Sequence, residues 1–354
     1  MKNLLRNILY TRTLMQKATE IFNTDIKPIS RSVLVVGGAG YIGSHLCKQL
    51  DKNGYVPVVV DRNLKNKPVA FGPSFDIDLP TNIQALDDVI KRYNIDSCIH
   101  LAGSSSVGAS AKNPSLFYKN NVSTTMALLD KLIANDVSTF IFSSTASVYA
   151  DNDLNKCMED SLTQPSNAYG SSKLAVESIL KDYCGAYDIR CVALRYFNVA
   201  GYDTESKPSQ IRYRPNKLID IIIDAAHKHQ TFKIFGNTHP TKDGTCVRDY
   251  VHVMDVAEAN IKALNYCREN SKYEVFNIGS GIPTSNMEIL NEIQRHLGKI
   301  KTETADARNE LSYSLADITK AKEILDWIPT KSSIDKIVAS AVKWYNMTHK
   351  KEIQ

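Results

Sequence analysis

A tyrosine and a lysine one helical turn apart are the residues of this chain best suited to chemistry. Tyr169 and Lys173 are four residues apart, so on a helix both side chains project from the same face. A free phenol has a pKa of about 10 and is a poor base at neutral pH, but an ammonium beside it favours the phenolate. The pair can therefore accept a proton from an alcohol or sugar hydroxyl. The same spacing also occurs on ordinary solvated helices, so its meaning depends on the rest of the chain.

A glycine-rich segment upstream has the order of features typical of a dinucleotide site. An apolar run at 33–36, typical of a buried parallel strand, leads directly into three glycines and then a helical pattern. The glycines are Gly37, Gly40 and Gly43. They permit a tight turn and close approach of the backbone to a pyrophosphate, which then rests on the helix N-terminus. A glycine-rich hairpin is the alternative, and the order of strand, glycines and helix argues against it.

An acidic residue after the second strand indicates which dinucleotide binds. Asp61 lies 21 residues after Gly40, where a carboxylate can accept hydrogen bonds from the adenosine ribose diol, which favours NAD. Arg62 follows it and could contact a phosphate, so NADP stays open.

Composition restricts the class of protein. The chain has 354 residues, of which 43% are hydrophobic and 23% charged, and this is ordinary for a globular protein. The net charge of +5 comes without a concentrated basic tract, so nucleic acid is not implied. No apolar run is long enough for a membrane span or a signal peptide. The seven cysteines are scattered without a CxxC pair, which predicts reduced core thiols in the cytoplasm. The histidines show no metal spacing, and we expect His100 to be a core residue at a strand end.

Strand and helix patterns alternate from residue 32 to about residue 197. This alternation predicts an α/β fold, a Rossmann-type doubly wound parallel sheet with a smaller C-terminal α/β substrate-binding domain. We expect an NAD-binding domain at 31–200 and a mainly substrate-binding domain at 201–354. Residues 1–30 are set apart as a poorly ordered leader, with a weak organellar presequence as the alternative. Ligands bind at the carboxyl ends of such strands, where the glycine loop, Ala102, Gly103, Thr145 and Asn198 would emerge.

Several longer motifs match a known family. They lie at residues 41–45, 141–144, 194–198, 234–237, 240–245 and 247–255. From about Ser32 to its end the chain resembles the extended short-chain dehydrogenase/reductases, and within them the members that invert carbon 4 of UDP-hexoses. The resemblance implies a UDP-sugar substrate, a tightly held NAD that is regenerated in each turnover, and a transient 4-keto sugar. It also implies a homodimer, formed by packing the helix from about Leu116 and the Tyr169 helix against the same pair of a second copy.

The resemblance also assigns roles to individual residues. Tyr169 would be the catalytic base, Lys173 would tune it and bind the nicotinamide ribose, and Thr145 would bond the sugar oxygen. The cofactor residues would be Gly37, Gly40, Tyr41, Ile42, Gly43, Asp61, Asp78, Leu79, Ala102, Gly103 and Lys173. Beside Thr145 and Tyr169, the substrate residues would be Asn198, Asn216, Phe235, Gly236, Arg248, Arg308 and Ser314. The guanidinium of Arg248 suits the paired oxygens of a diphosphate, although a local ion pair with Asp249 is the alternative. No metal site is expected.

Departures from the family pattern leave the substrate open. Ser105 stands where many members have a lysine, Lys217 stands where asparagine is frequent, and Arg308 is one position out of register. A nucleotide-sugar 4,6-dehydratase would usually carry Asp-Glu after the threonine, and this chain has Ala146 and Ser147. A reductase that releases NAD(P)H and a binding module without chemistry also stay open, although such modules typically lack the tyrosine and lysine.

One position predicts the breadth of substrates. In the family, the residue three positions before the aspartate of Ala316-Asp317 lies beside the 2-substituent of the sugar, and here it is Ser314. A small residue there admits an N-acetyl group, whereas a bulky tyrosine restricts the site to plain hexoses. A shift of one residue in this loop would instead place Tyr313 at that position.

Overall fold

The computed structural model describes residues 31–67, 69–150, 156–213, 217–270, 272–307 and 311–349. The predicted leader at 1–30 and the predicted substrate residues Asn216 and Arg308 lie outside the described residues. Within the described ranges, no helix combines the length and the apolar character needed to cross a bilayer.

Strands and helices alternate as the sequence pattern predicts. The strands are β1 (Ser32–Val36), β2 (Val56–Asp61), β3 (Ser74–Asp76), β4 (Ser97–His100), β5 (Thr139–Thr145), β6 (Lys156–Cys157), β7 (Arg190–Tyr196), β8 (Asn198–Ala200), β9 (Phe232–Phe235), β10 (Val247–His252), β11 (Tyr273–Ile278), β12 (Pro283–Ser285), β13 (Thr302–Ala305) and β14 (Tyr313–Ala316). The helices are α1 (Tyr41–Lys52), α2 (Leu79–Asn82), α3 (Leu86–Tyr93), α4 (Val107–Lys112), α5 (Pro114–Tyr118), α6 (Thr124–Ile133), α7 (Ala168–Ala186), α8 (Leu218–His227), α9 (Val253–Glu269), α10 (Asn286–Leu297), α11 (Thr319–Ile324) and α12 (Ile334–His349). Short 3-10 turns lie at Leu64–Asn66, Ile83–Ala85 and Ala146–Val148.

A parallel sheet of seven of the described strands forms the layer to which the sequence prediction assigns the cofactor. Its order is β11-β7-β5-β4-β1-β2-β3, and each neighbouring pair is parallel. The order in which the chain adds strands reverses between β1 and β4, which is where such sheets open a crevice for a ligand. The predicted doubly wound α/β fold is therefore confirmed.

Burial on both faces explains why these strands are apolar throughout. In β1, Val33 and Val35 pack in the cluster that contains α1 and α9. Leu34 and Val36 pack in the opposite cluster, with α3, α6 and α7. Successive side chains of a strand point to opposite faces, so a strand covered on both sides needs an uninterrupted apolar run.

A second layer carries most of the remaining strands, while β9 and β13 form a separate two-stranded sheet. Strand β10 pairs with β8, β12 and β14, and β14 pairs with β6. Helices α8, α10 and α12 form a third apolar cluster around residues such as Ile222, Ile293 and Trp344. From β10 the chain continues through α9 to β11, which is the edge strand of the large sheet. Part of the predicted substrate-binding segment thus belongs to the cofactor layer.

Buried polar contacts join the two layers at helix α1. The ammonium of Lys48 pairs with the carboxylate of Asp203, and both side chains are almost fully buried. Ser206 Oγ donates to the same carboxylate at 2.8 Å, and Tyr41 Oη donates to the Gly201 carbonyl. Because an unpaired buried charge costs several kcal/mol, these contacts fix the helix of the glycine loop against the segment that follows β8.

Candidate active site

A cavity of about 670 Å³ lies along the carboxyl ends of the parallel strands. The predicted site residues that line it are Gly37, Gly40, Tyr41, Ile42, Gly43, Asp61, Asp78, Leu79, Ala102, Gly103, Thr145, Tyr169, Lys173, Asn198, Arg248 and Ser314. Phe235 and Gly236 are not among its lining residues and lie at the end of β9, where the Gly236 N–H donates to the Ala305 carbonyl at 3.0 Å. The roles assigned to all of these residues stay predictions.

Helix α7 approaches the end of β5 closely enough to bring its first turn to the cavity. Asn167 caps the helix, and its Oδ1 accepts from the Gly170 N–H at 2.9 Å. A Cβ atom at position 170 would lie 2.2 Å from the Ser147 carbonyl oxygen, so only glycine permits this contact. Tyr169 consequently faces the same cavity as Thr145, and its ring meets Phe117 edge-on at a centroid distance of 6.4 Å.

Lys173 holds a buried ammonium one turn further along α7. Only 4% of the residue is exposed. Its Nζ donates to the Ser143 carbonyl at 2.8 Å and lies 4.6 Å from the centroid of the Phe142 ring. Burial lowers the pKa of Lys173 to about 8, and the charge of Glu177 opposes that shift. Lys173 therefore stays mostly protonated at neutral pH and presents positive charge beside Tyr169.

His100 is the titratable residue that faces Lys173 from β4. It is 1% exposed, and burial lowers its pKa to about 3, with the Lys173 charge acting in the same direction. Its Nε2 lies 3.0 Å from Thr125 Oγ1. His100 is thus a neutral residue of the core at a strand end, as the sequence predicts.

Thr145 is the last residue of β5 and lies at the bottom of the cavity. Its Oγ1 accepts from the Ser147 N–H at 3.2 Å and so caps the 3-10 turn Ala146–Val148. That turn supplies Ala146 and Ser147 to the cavity wall, where a 4,6-dehydratase would need an acid and a base.

The glycine loop fits the pyrophosphate of a dinucleotide. A Cβ atom at Gly43 would lie 2.3 Å from the Gly37 carbonyl oxygen, so the loop packs on the helix only without a side chain there. Gly40 precedes the first turn of α1 and has no side chain that could cap it. The N–H groups of a first helical turn have no partner within the helix and attract phosphate.

Two carboxylates at the other end of the cavity fit an adenosine. Asp61 Oδ2 accepts from the Ala39 N–H at 3.1 Å, and its Oδ1 accepts from Lys67 Nζ at 2.7 Å. Asp78 Oδ1 lies 3.9 Å from Arg62 Nη1 in an ion pair but accepts no hydrogen bond from the described part of the chain. A buried acceptor of this kind is stabilised by a donor from a ligand. The residues present therefore fit NAD, with Asp61 near the ribose end of the loop.

Asn121 holds a residue of the cavity wall, Ser104, in place, and sequence reasoning missed it. The predicted helix from about Leu116 is present as α5, a π turn at Lys119–Ser123 and α6, which follow one another directly. Within that turn, Asn121 Oδ1 accepts from the Ser104 N–H at 2.8 Å, and its Nδ2 donates to the Ser104 carbonyl and to Ser172 Oγ. π turns recur at functional sites. The signal in the sequence is the pair Asn120-Asn121 inside a helical pattern, where asparagine is unfavourable.

The register of β10 and β14 decides whether Ser314 or Tyr313 lies beside Arg248 in the cavity. Arg248 pairs with Ser314, and both line the cavity. Tyr313 pairs with Val247, one position back, and side chains alternate between the faces of a strand. Tyr313 is accordingly not among the lining residues of the described chain. The geometry favours Ser314 over Tyr313 at this position.

Asp220 adds a titratable group that sequence reasoning did not single out. It lies in the first turn of α8 and lines the cavity. Burial raises its pKa to about 7, so its charge changes near neutral pH. Among the described residues, no group of three or more His, Cys, Asp or Glu side chains could hold a metal ion.

Comparisons with known proteins agree with this geometry. Residues 33–279 match the model of the NAD dependent epimerase/dehydratase family. A UDP-glucose 4-epimerase of Rhizobium meliloti (strain 1021) is 38% identical over 323 residues, which cover 90% of this chain and 98% of that protein. A solved UDP-glucose-4-epimerase from Stenotrophomonas maltophila, with bound NAD and formylated UDP-arabinopyranose, superposes with a TM-score of 0.84 at 30% identity and covers 90% and 99% of the two chains. The UDP-Glc/GlcNAc 4-epimerase of Campylobacter jejuni superposes with a TM-score of 0.76 at 33% identity, over 88% and 98%.

We predict that Gly170→Ala disturbs the site through its contact with Ser147. Because the added Cβ would meet a backbone oxygen, α7 must move, and we expect the free energy of unfolding to fall by about 1–3 kcal/mol. The content of NAD in the purified protein should fall with it. Chemical denaturation and cofactor extraction measure both quantities.

Gly185→Ala is the matched control on the same helix. A Cβ there meets no atom within 4 Å, so this variant should keep its NAD and gain up to about 1 kcal/mol of stability. If Gly170→Ala retained both wild-type stability and NAD, the close approach of α7 would not be needed.

Proposed function

Because this chain belongs to the NAD dependent epimerase/dehydratase family, we propose that it interconverts UDP-glucose and UDP-galactose by inverting carbon 4 of the hexose with a tightly held NAD. The observation that carries the proposal is that Tyr169, Lys173 and Thr145 line the same cavity as the glycine loop and Arg248. The curated relatives named UDP-glucose 4-epimerase support the choice of substrate.

The reaction begins with proton transfer at the 4-hydroxyl of the sugar. Tyr169 accepts that proton, and the buried ammonium of Lys173 favours the phenolate that must receive it. Thr145 Oγ1 binds the sugar oxygen and orders the proton path. NAD, when bound, supplies a reversible acceptor for the hydride of carbon 4.

Inversion requires that the 4-keto sugar turn while the nucleotide stays in place. Arg248 binds the diphosphate, with Asn198 and the predicted uracil residues Phe235 and Gly236 adding further contacts. Binding energy from this remote part of the substrate holds the intermediate while the hexose presents its other face. Tyr169 then returns the proton to the new 4-hydroxyl.

Two further reactions known in the same family are less well supported. The cavity wall after Thr145 consists of Ala146 and Ser147, which cannot serve as the acid and base of a 4,6-dehydratase. A reductase would take up reduced cofactor and release it oxidised in each turnover, so it would need cofactor added to the solution. Incubation of the pure protein with UDP-galactose and no added cofactor, followed by anion-exchange chromatography, distinguishes these activities from epimerisation.

Replacing the base tests the mechanism. Tyr169→Phe removes only the phenolic oxygen, so we expect turnover to fall by about 10²- to 10⁴-fold while UDP-sugar and NAD still bind. Thr145→Ala should lose less. Tyr183→Phe, on the same helix and bonded to Asp130 outside the cavity, is the control and should turn over normally. Wild-type turnover by the Tyr169 variant would exclude it as the base.

We further propose that the enzyme also converts the N-acetylhexosamine pair of UDP-sugars. The pairing of Ser314 with Arg248 and the position of Tyr313 away from the cavity support a small residue beside the sugar. The named UDP-Glc/GlcNAc activity of the Campylobacter jejuni relative is consistent with this breadth.

Ser314→Tyr tests that breadth directly. The larger side chain fills the space for the acetamido group, so conversion of UDP-N-acetylglucosamine should be lost while UDP-galactose is still converted. Tyr313→Phe is the matched control, and it should convert both substrates because its side chain lies outside the cavity. Absence of N-acetyl activity in the wild type, together with good conversion of UDP-galactose, would contradict the proposal.

We propose a homodimer built on α5, α6 and α7. Large apolar side chains are exposed on or next to these helices, at Leu116, Tyr118, Met126 and Tyr187. A patch of this kind suits isologous packing against a second copy. Light scattering should give twice the 39.5 kDa chain mass at micromolar concentration, and Leu116→Glu with Met126→Glu should lower it. A wild-type monomer under these conditions would disprove the assembly.

We place this activity in the cytoplasm. All seven cysteines are free and buried, which is typical of a reducing compartment. Recovery of the enzyme with an organelle in cell fractionation would contradict this location.

We propose that residues 31–200 bind NAD and that residues 201–354 provide most of the contacts to the substrate.

A further inference from the structure

A buried glutamate continues the face of α7 that carries Tyr169 and Lys173. Glu177 is four residues after Lys173, so the three side chains follow one another along the helix. Glu177 is 4% exposed and is not among the residues that line the cavity. Any effect of Glu177 on the site therefore passes through its neighbours.

Glu177 is paired with a buried arginine from strand β7. Arg195 Nη2 donates to Glu177 Oε2 at 2.6 Å, and Arg195 Nε donates to Oε1 at 3.1 Å. Two parallel bonds of this kind fix both side chains in one geometry. Ser144 Oγ donates to Oε1 as well, which ties the same carboxylate to β5.

Three consecutive residues at the end of β5 are thereby connected to the site. Ser143 accepts the bond from Lys173, Ser144 donates to Glu177, and Thr145 faces the cavity. The alignment of β5 with α7 thus depends on a lysine and a glutamate one turn apart. Loss of either contact would shift Thr145 relative to Tyr169.

Arg195 extends these contacts to the opposite wall of the cavity. Its Nη1 donates to Tyr149 Oη at 2.8 Å and to the Glu159 carbonyl at 2.9 Å. Tyr149 Oη in turn donates to Asn277 Oδ1 at 2.6 Å, and the tyrosine lines the cavity. The pair Glu177–Arg195 is therefore bonded to α7, β5, β7 and β11.

We propose that Glu177 is a positioning residue of the epimerase: together with Arg195 it holds the Tyr169–Lys173 face of α7 against the end of β5, and its negative charge keeps Lys173 an ammonium. The role in catalysis rests on the proposed function. The effect on Lys173 itself does not, and it can be measured without turnover.

The charges around Lys173 support the second part of this role. Burial lowers the pKa of Lys173, and the charge of Glu177 raises it. The other titratable groups facing Lys173 are Tyr169 on its own helix and His100 on β4, and burial keeps His100 neutral.

The side chains that face Glu177 do not supply a negative charge that could take the place of its own. They are Arg195 from β7 and, from β11, the phenol of Tyr273, whose pKa is raised by burial and by Glu177. Tyr149 and Glu159 face the far side of Arg195, and burial raises the pKa of both.

Glu177→Gln removes the charge and keeps the volume. The pKa of Lys173 should fall by about one unit, a shift of the size that a nearby charge produces. The ammonium is lost as pH rises through that pKa, so the alkaline limb of kcat against pH should move to lower pH. At pH 8 turnover should fall about fivefold against wild type, since a pKa of about 8 would become about 7. The KM for UDP-glucose should change less than about twofold, because Arg248 and Asn198 are untouched.

A second variant distinguishes a loss of positioning from a loss of folding stability. Glu177→Gln leaves the Arg195 charge buried and unpaired, which destabilises the protein, whereas Glu177→Gln with Arg195→Met replaces both charges. The double variant should fold, but it also removes the positive charge of Arg195, which acts on Lys173 in the opposite direction to Glu177, so its alkaline limb should move less than that of Glu177→Gln. Its kcat should still be lower than that of wild type below that limb, because the two bonds from Arg195 to Glu177 that hold α7 are gone. Asp203→Asn breaks a second buried pair, with Lys48, and should lower stability without moving that limb.

The decisive measurement is the titration of the Lys173 side chain by NMR, in NAD-bound protein with labelled lysine, for wild type and Glu177→Gln. A lower midpoint in Glu177→Gln supports the proposal. An unchanged midpoint overturns it, whether or not the enzyme epimerises UDP-sugars. A wild type that is inactive on UDP-sugars would refute the proposed function alone. An active wild type and a double variant with equal kcat at all pH values would refute the positioning role alone.

Discussion

The burial of one ammonium group, that of Lys173, is the constraint on which the rest of the site depends. A cation taken out of water costs several kcal/mol unless nearby groups stabilise it. Here the stabilising groups are the carbonyl of Ser143, the ring of Phe142 and the charge of Glu177. The first two belong to β5 and require α7 to lie directly against that strand, whereas Glu177 is on α7 itself. The same approach of α7 leaves no room for a side chain at Gly170 beside the Ser147 carbonyl.

The same constraint explains how the proposed catalytic groups can come from separate elements of the fold. Thr145 ends a strand and Tyr169 begins a helix, and the polypeptide between them leaves the large sheet to form the short strand β6. What aligns the two hydroxyls is the set of polar contacts beneath them, rather than their closeness in sequence. A site of this kind is held by buried charge and by glycine, and its surface loops are free to vary.

Much of the cofactor layer could be predicted from the sequence because each element there follows a local rule. A strand buried on both faces must be apolar at every position, and a phosphate-binding turn must be glycine-rich. The position of Asn121 could not be predicted from such a rule. Asn121 lies in a π turn, which interrupts the helical period, and the spacing of apolar residues does not show where a helical turn contains an extra residue. The pairing of Glu177 with Arg195 could not be predicted from the sequence either, because it joins a helix to a strand of the sheet. Ser314 needed the register between two strands far apart in sequence, which only the fold supplies.

The path from β10 through α9 to β11 bears on how this architecture can be altered. One segment provides Arg248, the proposed ligand of the diphosphate, a helix that covers one face of the large sheet, and the strand that closes the edge of that sheet. If the chain were cut near residue 200, β7 would be left with open backbone groups and the apolar face beneath α9 would be exposed to water. The two layers therefore cannot be exchanged independently of each other. Recombination between relatives at a single boundary near residue 200 would produce an incomplete sheet that is prone to aggregate. Exchange of the whole segment 247–278 would instead preserve both layers.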